Sequence, residues 1–438
     1  MRIGFKIVTF ISALTFSVLT QPTLAATYAI DAGLPAGGDC EHPFIGGIWV
    51  EDWNTCVLPS DPYPGLLIDA GDTLTIESAT HVLMPGYVRV RGYMHNKGSI
   101  DVVDPEGELW TISWPSSHGT ILNDGSIAVH RQSLTNHNRG KIINNGSIDV
   151  ESGGRFHTVG HASFINHGTT TIHAGGYLSF QGGIVLNEGW IINDDLFGMG
   201  GPFRPHLDNR GDFVNNATFE TYPGATVNNR GTITNAVSAS IENQVPFFNS
   251  GTVENDGSIE NTGELVSSGT LGNGPAGAVT NLGILTNDGA ILNDGLVDNM
   301  ATLGNYSSID NAGVIDNPGV IVNVCPGVIS GNPVLQNPPI DEVWIETVAG
   351  DVFSWCELAG ADYQVAMGDI LKFPYGSYVQ AAHDCVNVSV TFHALPDSPP
   401  PGDAIWLLVR TANGTYDTAR PSQVGSRDNG IAALCFLP

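Results

Sequence analysis

Eight asparagines, Asn281, Asn287, Asn293, Asn299, Asn305, Asn311, Asn317 and Asn323, stand six residues apart without a break. An α-helix turns every ~3.6 residues, so a residue type repeated every six would wander around its surface. A coil of three short strands fits the spacing better. Six residues make one side and its turn, and each side can send one aliphatic residue to a shared interior. Val253, Ile259, Leu265 and Leu271, then Leu285, Ile291, Val297 and Leu303, hold that aliphatic position. The hexad therefore excludes a helical repeat and points to stacked β-coils.

The same grammar, Asn-x-Gly-x-aliphatic, runs further upstream at wider spacing. Asn96-Lys97-Gly98-Ser99-Ile100, Asn123-Asp124-Gly125-Ser126-Ile127 and Asn144-Asn145-Gly146-Ser147-Ile148 are clear copies, followed by others at Asn187, Asn209, Asn229 and Asn249. From Asn123 onward these recur every 20–22 residues, close to three hexads. Long and short coils then belong to one solenoid, expected over residues 67–323 and read as right-handed from the longer coils. The asparagines, among them Asn249, Asn255, Asn261 and Asn287, are expected at coil corners in left-handed backbone. There their amides would form a ladder from coil to coil. Glycine two residues later allows a tight corner or a close approach of backbones.

This pattern resembles the parallel β-helix domains of bacterial surface proteins, above all filamentous-haemagglutinin-type adhesins and autotransporter passengers. The likeness begins at Leu67-Ile68-Asp69-Ala70-Gly71-Asp72-Thr73-Leu74-Thr75-Ile76, similar to an opening coil of those domains, and continues to Asn323. It implies an all-β parallel β-helix and a place at the cell surface or outside the cell. No outer-membrane barrel is expected in the residues after the repeats.

The two ends read differently. Arg2 and Lys6, an apolar run from Ile7 to Leu19 and the small residues around Ala25 make residues 1–25 a secretory signal. Residues 26–66 are expected to cap the solenoid, with Cys40 paired to Cys56. Residues 324–340 form a proline-rich linker. Residues 341–438 carry strand-like runs such as Val343-Trp344-Ile345 and Ile405-Trp406-Leu407-Leu408-Val409, suited to a small β-sandwich that closes the other end. Cys325, Cys356, Cys385 and Cys435 lie in this last quarter, and their disulfide pairing is open. An even cysteine count without a CxxC motif favours disulfides over zinc or dithiol chemistry.

Charge narrows the partners. The chain holds 16 Lys+Arg against 44 Asp+Glu, a formal net charge of −28. Nucleic acid and anionic membrane surfaces are poor partners for it, and no membrane span follows the signal. No Lys or Arg occurs between Arg230 and Lys372, which removes a basic cleft for acidic sugars from that half. Chemistry has few candidates. Asn193-Asp194-Asp195 with His206 and Asp208 faintly resembles the aspartate cluster of polygalacturonases, yet the Gly-His-Gly and Arg-x-Lys of those enzymes are missing. His130, His137, Arg139 and Lys141 form the one cationic group. His157 and His161 have a helical spacing in a strand-like region, so no metal and no cofactor is expected.

One coil is unusually long. Asn96 to Asn123 spans 27 residues and includes Glu108-Leu109-Trp110-Thr111-Ile112-Ser113-Trp114. An extruded loop carrying Trp110, Trp114 and His118 suits stacking on sugar rings or docking of a partner. The function expected is a secreted structural or adhesive scaffold, able to self-assemble or to contact surface polysaccharide. A carbohydrate-active solenoid is the alternative.

Overall fold

The computed structural model describes residues 26–59, 65–103, 107–114, 117–323 and 327–336. Beyond these it describes the strands Glu346–Val348, Val352–Ser354, Tyr363–Asp369, Ala382–Val388, Phe392–Ala394 and Ile405–Thr411. Residues 1–25, expected as a secretory signal, lie outside them. From Thr27 to Gln336 the chain is a three-sided parallel β-solenoid. One coil shows the plan: Thr120–Asn123 on a first face, Ser126–Val129 on a second and Ser133–His137 on a third. The next coil then lays Lys141–Asn144 under Thr120–Asn123, with Asn144 beside Asn123. Ser147–Val150 stacks under Ser126–Val129 and Arg155–Val159 under Ser133–His137 in the same way. The second face is a 15-stranded sheet. The first and third merge into a 26-stranded sheet, because Tyr177–Asn187 and Leu196–Asn209 run through the corner between them. At a rung spacing of ~4.8 Å the second face makes a rod roughly 60 Å long.

Most strands are four residues long and alternate out, in, out, in. Two side chains per strand therefore reach the interior. The first is aliphatic or aromatic, and Val253, Ile259, Leu265, Leu271, Leu285, Ile291, Val297 and Leu303 are all buried as the hexad demands. In the middle coils Phe156, Phe164, Phe180, Phe197, Phe213 and Phe219 fill this space with stacked, tilted and edge-on ring contacts 4.8–6.2 Å between centroids. The second inward residue closes the strand, and from Asn273 to Asn323 it is asparagine on every face.

The asparagines differ from expectation in one respect. They sit at the ends of strands with side chains turned into the core, and none adopts positive φ. Extended backbone suffices because the adjoining two-residue turn makes the corner. Their amides do form ladders. Asn123 Nδ2 donates to Asn144 Oδ1 at 2.7 Å and to the carbonyl of Ser147 at 2.8 Å, while accepting from Asn96. This ladder continues through Asn166, Asn187, Asn209, Asn229 and Asn249. A second begins at Asn193 on the next corner and passes Asn215, Asn235, Asn255, Asn273, Asn293 and Asn311. A third links Asn243, Asn261, Asn281, Asn299 and Asn317. Except at Asn317, each ladder amide satisfies a backbone carbonyl at the turn below, which is why so polar a residue is tolerated in the core.

Close approach explains the glycine of the Asn-x-Gly unit. A Cβ on Gly146 would lie 1.9 Å from the carbonyl oxygen of Gly125, and one on Gly125 equally near that of Gly98. Neither glycine has positive φ.

Both expected boundaries of the solenoid move outward. Thr27–Ile30 pairs in parallel with Thr73–Ile76, and Thr55–Val57 with His81–Met84, so the segment expected as a separate cap already forms the first coil. The lid proper is Ile48–Val50, antiparallel on Thr55–Val57 and held by the buried Cys40–Cys56 disulfide. At the far end Val328–Gly331 pairs with Ser308–Asn311, and Leu335–Gln336 with Asp316–Asn317. Pro333 falls in the turn between these strands, where a missing N–H costs no ladder bond, so the proline-rich stretch does not end the stacking.

The C-terminal strands form two three-stranded antiparallel sheets. Val352–Ser354 is central in one, between Glu346–Val348 and Phe392–Ala394. Tyr363–Asp369 is central in the other, between Ala382–Val388 and Ile405–Thr411. Cys325, Cys356 and Cys435 lie outside the described residues, as do Val343-Trp344-Ile345, expected as a strand, and the side chain of Cys385. Among the described residues no helix is long and apolar enough to cross a membrane.

Candidate functional site

With the interior filled, chemistry must sit on the outward side chains. The most concentrated group is on the third face, near the start. Glu108–Thr111 lies between the rungs Tyr87–Val90 and Ser133–His137, which places Arg89 and Thr135 on either side of Trp110. The Tyr87 and Trp110 rings meet edge-on at 6.3 Å, and the Arg89 guanidinium stands 6.0 Å from one ring centroid and 5.9 Å from the other. Glu108, beside Tyr87 in register, is half-buried. Burial pushes its carboxyl above the usual range, while Ser133, Arg89 and Trp110 pull the other way. The result is an aromatic patch with one cation and one carboxylate.

A hairpin rises beside it. Ser113–Trp114 pairs antiparallel with Ser117–His118, so the extra length of this coil is extruded at the corner after the Trp110 strand. His118 is exposed on it. Trp114 stands on the same hairpin, and its side chain lies outside what is described. Trp110 belongs to the wall rather than to the loop, a correction forced by its pairing with both neighbouring rungs. Sequence reasoning missed Tyr87 and Arg89. The signal was present, because Arg89 precedes Trp110 by 21 residues, one coil length.

The four catalytic candidates do not converge. Asp194 and Asp195 occupy the turn between the second and third faces. There Asp194 accepts from Asn216 Nδ2 at 2.7 Å and Asp195 from the Gly175 amide. His206 and Asp208 point outward from the first face, across the coil from that corner. Asp208 is clamped by Arg210 at 2.8 Å and Arg230 at 3.2 Å. An aspartate held so cannot serve as a base for substrate on another face, so the cluster read from the sequence is not a site. His137, Arg139 and Lys141 share one corner region, but His130 sits at the other end of the Ser133–His137 strand. His157 is half-buried under Tyr177, and burial followed by Arg155 pulls its imidazole below the ordinary value. His161 contacts Phe203 instead.

Many histidines instead pair with carboxylates one rung away. His81 meets Asp101 at 3.1 Å, His167 meets Glu188 at 3.0 Å and His173 meets Asp149 at 3.4 Å. His95 meets Asp124 at 2.6 Å, and hydrogen bonds from Asn145 and then His95 hold Asp124 below the usual carboxylate range. The middle residues of the Asn-x-Gly units stack into a spine along one corner: Lys97 on Glu77, Asp124 with Asn145, and Glu188 with Arg210. Among the described residues no three His, Cys, Asp or Glu side chains gather as metal ligands would.

No family model and no curated protein matches this chain. A solved structure described as the TibC-catalyzed hyper-glycosylated TibA55-350 fragment aligns with 71% of this chain and 99% of its own, at 16% identity and a TM-score of 0.37.

Proposed function

We propose that this is a secreted structural or adhesive protein, a rigid extracellular rod whose outer faces make its contacts. The observation that carries the reading is the continuous in-register stack from Thr27 to Gln336, closed around a core of aliphatics, phenylalanines and asparagine amides. Such a stack is stiff, presents outward residues at a fixed rung spacing and, among the described residues, leaves no interior cleft for a substrate. The acidic charge keeps it soluble and turns it from anionic surfaces. Small-angle scattering of the mature chain should give a single elongated particle of the length above, together with retention on polysaccharide or cell-surface material. A compact particle, or no retention on any surface polymer tested, would refute the reading.

The patch of Tyr87, Arg89, Glu108 and Trp110, flanked by the Ser113–His118 hairpin, supports a second reading as a sugar-binding module. Aromatic faces stack on sugar rings, and a carboxylate and guanidinium can bond their hydroxyls. A glycan array comparing wild type with Trp110→Ala tests it. Binding by the native protein that falls at least tenfold in the variant supports the module, and equal binding removes it.

A further inference from the structure

The outer sides of the rod are not alike. On the first face an apolar column runs outward through Leu122, Ile143, Ile165 and Leu186 on successive rungs. After Asp208 and Asn228 it resumes with Phe248 and Val266. In the column beside it Ile184 is 54% exposed and Ile284 48%. Between Thr120 and Thr286 the Asp, Glu, Lys and Arg side chains that this face turns outward are Lys141, Asp208 and Glu264. The third face, by contrast, carries Glu220, Glu242, Glu260, Asp298 and Asp316 in one outward column. Two copies of a chain with a net charge of −28 repel each other unless they meet on a nearly neutral surface. The first face is that surface, and an apolar sheet face of its extent marks a contact site.

We propose that the first face binds the first face of a second copy of this chain, with the two rods antiparallel and the rung ending in Asn209 of each opposite that of the other. This names a partner for the scaffold reading and rests on it, since only a stiff stack keeps so long a face in register. Charge sets the alignment. Lys141 lies three rungs above His206 in its column, and Glu264 three rungs below. Turning the second copy end for end, about an axis along the strands, therefore sets Lys141 of each copy opposite Glu264 of the other. Glu188 and Arg230 flank Arg210 by one rung on either side at the adjoining corner, and the same operation brings them together. The apolar columns match as well, because Ile143 meets Val266 and Ile165 meets Phe248. Like charges meet at Asp208 and Arg210, which neutralise each other at 2.8 Å within each copy, and at the rim between Asp124 and Asp288. A parallel pair would instead press Lys141 onto Ile143 and Glu264 onto Val266, stranding charges on apolar surface. The size suffices too. From Thr73–Ile76 to Val320–Asn323 the face is about 60 Å long and about 13 Å wide, a projection of about 800 Å², which is about what each partner buries in a stable complex.

The test uses the whole chain as purified. Sedimentation equilibrium should give a dimer, and small-angle scattering a particle of doubled mass and unchanged length. Lys141→Glu and Glu264→Lys each create like-charge pairs at both symmetry-related contacts, and each should weaken the dimer at least ~tenfold. Both reversals in one chain should restore it to within about threefold of native affinity. The two side chains face outward, so every variant should keep the native circular dichroism and melting temperature. A monomer at all concentrations overturns the proposal, as does a dimer indifferent to the single reversals or not recovered by the double one. An elongated monomer that still binds surface polymer would leave the scaffold reading standing while this one falls. Loss of that binding in Phe248→Asp would then assign the first face to the polymer.

Discussion

Asn229 offers the sharpest test of what holds the rod together. Its side chain is fully buried, accepts from Asn209 at 2.8 Å, and donates at 2.8 Å both to Asn249 Oδ1 and to the Thr252 carbonyl. Replacing it with alanine deletes three hydrogen bonds, each worth about 1 kcal/mol net, and leaves buried partners unmet. The expected cost is about 3–5 kcal/mol, concentrated on the rungs Thr226–Asn229 and Pro246–Asn249 because a solenoid couples mainly to nearest neighbours. Hydrogen exchange is therefore the right assay, since a local opening need not move a global midpoint much. Amides in those rungs should exchange about 10²–10⁴-fold faster, while Ser147–Val150 stays unchanged. Asn228→Ala, on the same strand but facing outward, should change rates by less than about threefold. Asn229→Asp keeps the shape but puts a carboxylate against two acceptors. Its folded pKa is then raised above the unfolded value, so its stability falls as pH rises between the two, and acid should partly rescue it. Indistinguishable exchange in Asn229→Ala and Asn228→Ala would refute the ladder argument.

Three further outcomes follow from other parts of the fold. Gly146→Ala must push two coils apart, because its Cβ would meet the Gly125 carbonyl at 1.9 Å; it should lower the melting temperature sharply or prevent folding. Gly272→Ala, whose nearest neighbour would be the Val253 carbonyl at 3.8 Å, should be neutral, and equal effects would contradict the close-approach account. Glu220, Glu242 and Glu260 stack in register on the third face, and burial followed by Glu220 and Glu260 pushes the Glu242 carboxyl up. The folded state thus holds its proton more tightly than the unfolded chain, so stability is lost as pH rises from near 4.5 through the folded value. Glu242→Gln should accordingly raise the melting temperature at pH 7 and not at pH 4; a gain equal at both pH values would show that charge is not the cause. Ser267 interrupts the first ladder, taking a 3.1 Å bond from Asn249 beside a small apolar void lined by Phe247, Leu265 and Leu271. Ser267→Asn should restore the bond towards Asn287 and stabilise by about 1 kcal/mol in denaturant titration, whereas a loss would mean the void cannot admit the amide.

The sequence alone determined the stacked coil, its three sides and its aliphatic interior. A hexad with alternating strands is a local pattern that only one kind of packing can bury, so Ile259, Leu265 and Leu271 had nowhere else to point. It also paired Cys40 with Cys56 and marked the coil that extrudes the Ser113–His118 hairpin. The tertiary structure decided which way the asparagines face, because a strand-end amide can turn in or out until the coil below offers it a carbonyl. It decided, too, that Asp194 and Asp195 stand apart from His206 and Asp208, and that Tyr87, Arg89, Glu108 and Trp110 come together. Neighbours on the outside of a solenoid are set by the lengths of every intervening turn, and those lengths vary from coil to coil. Spacing along the chain reads the core, where one period is enforced, and loses the surface, where none is.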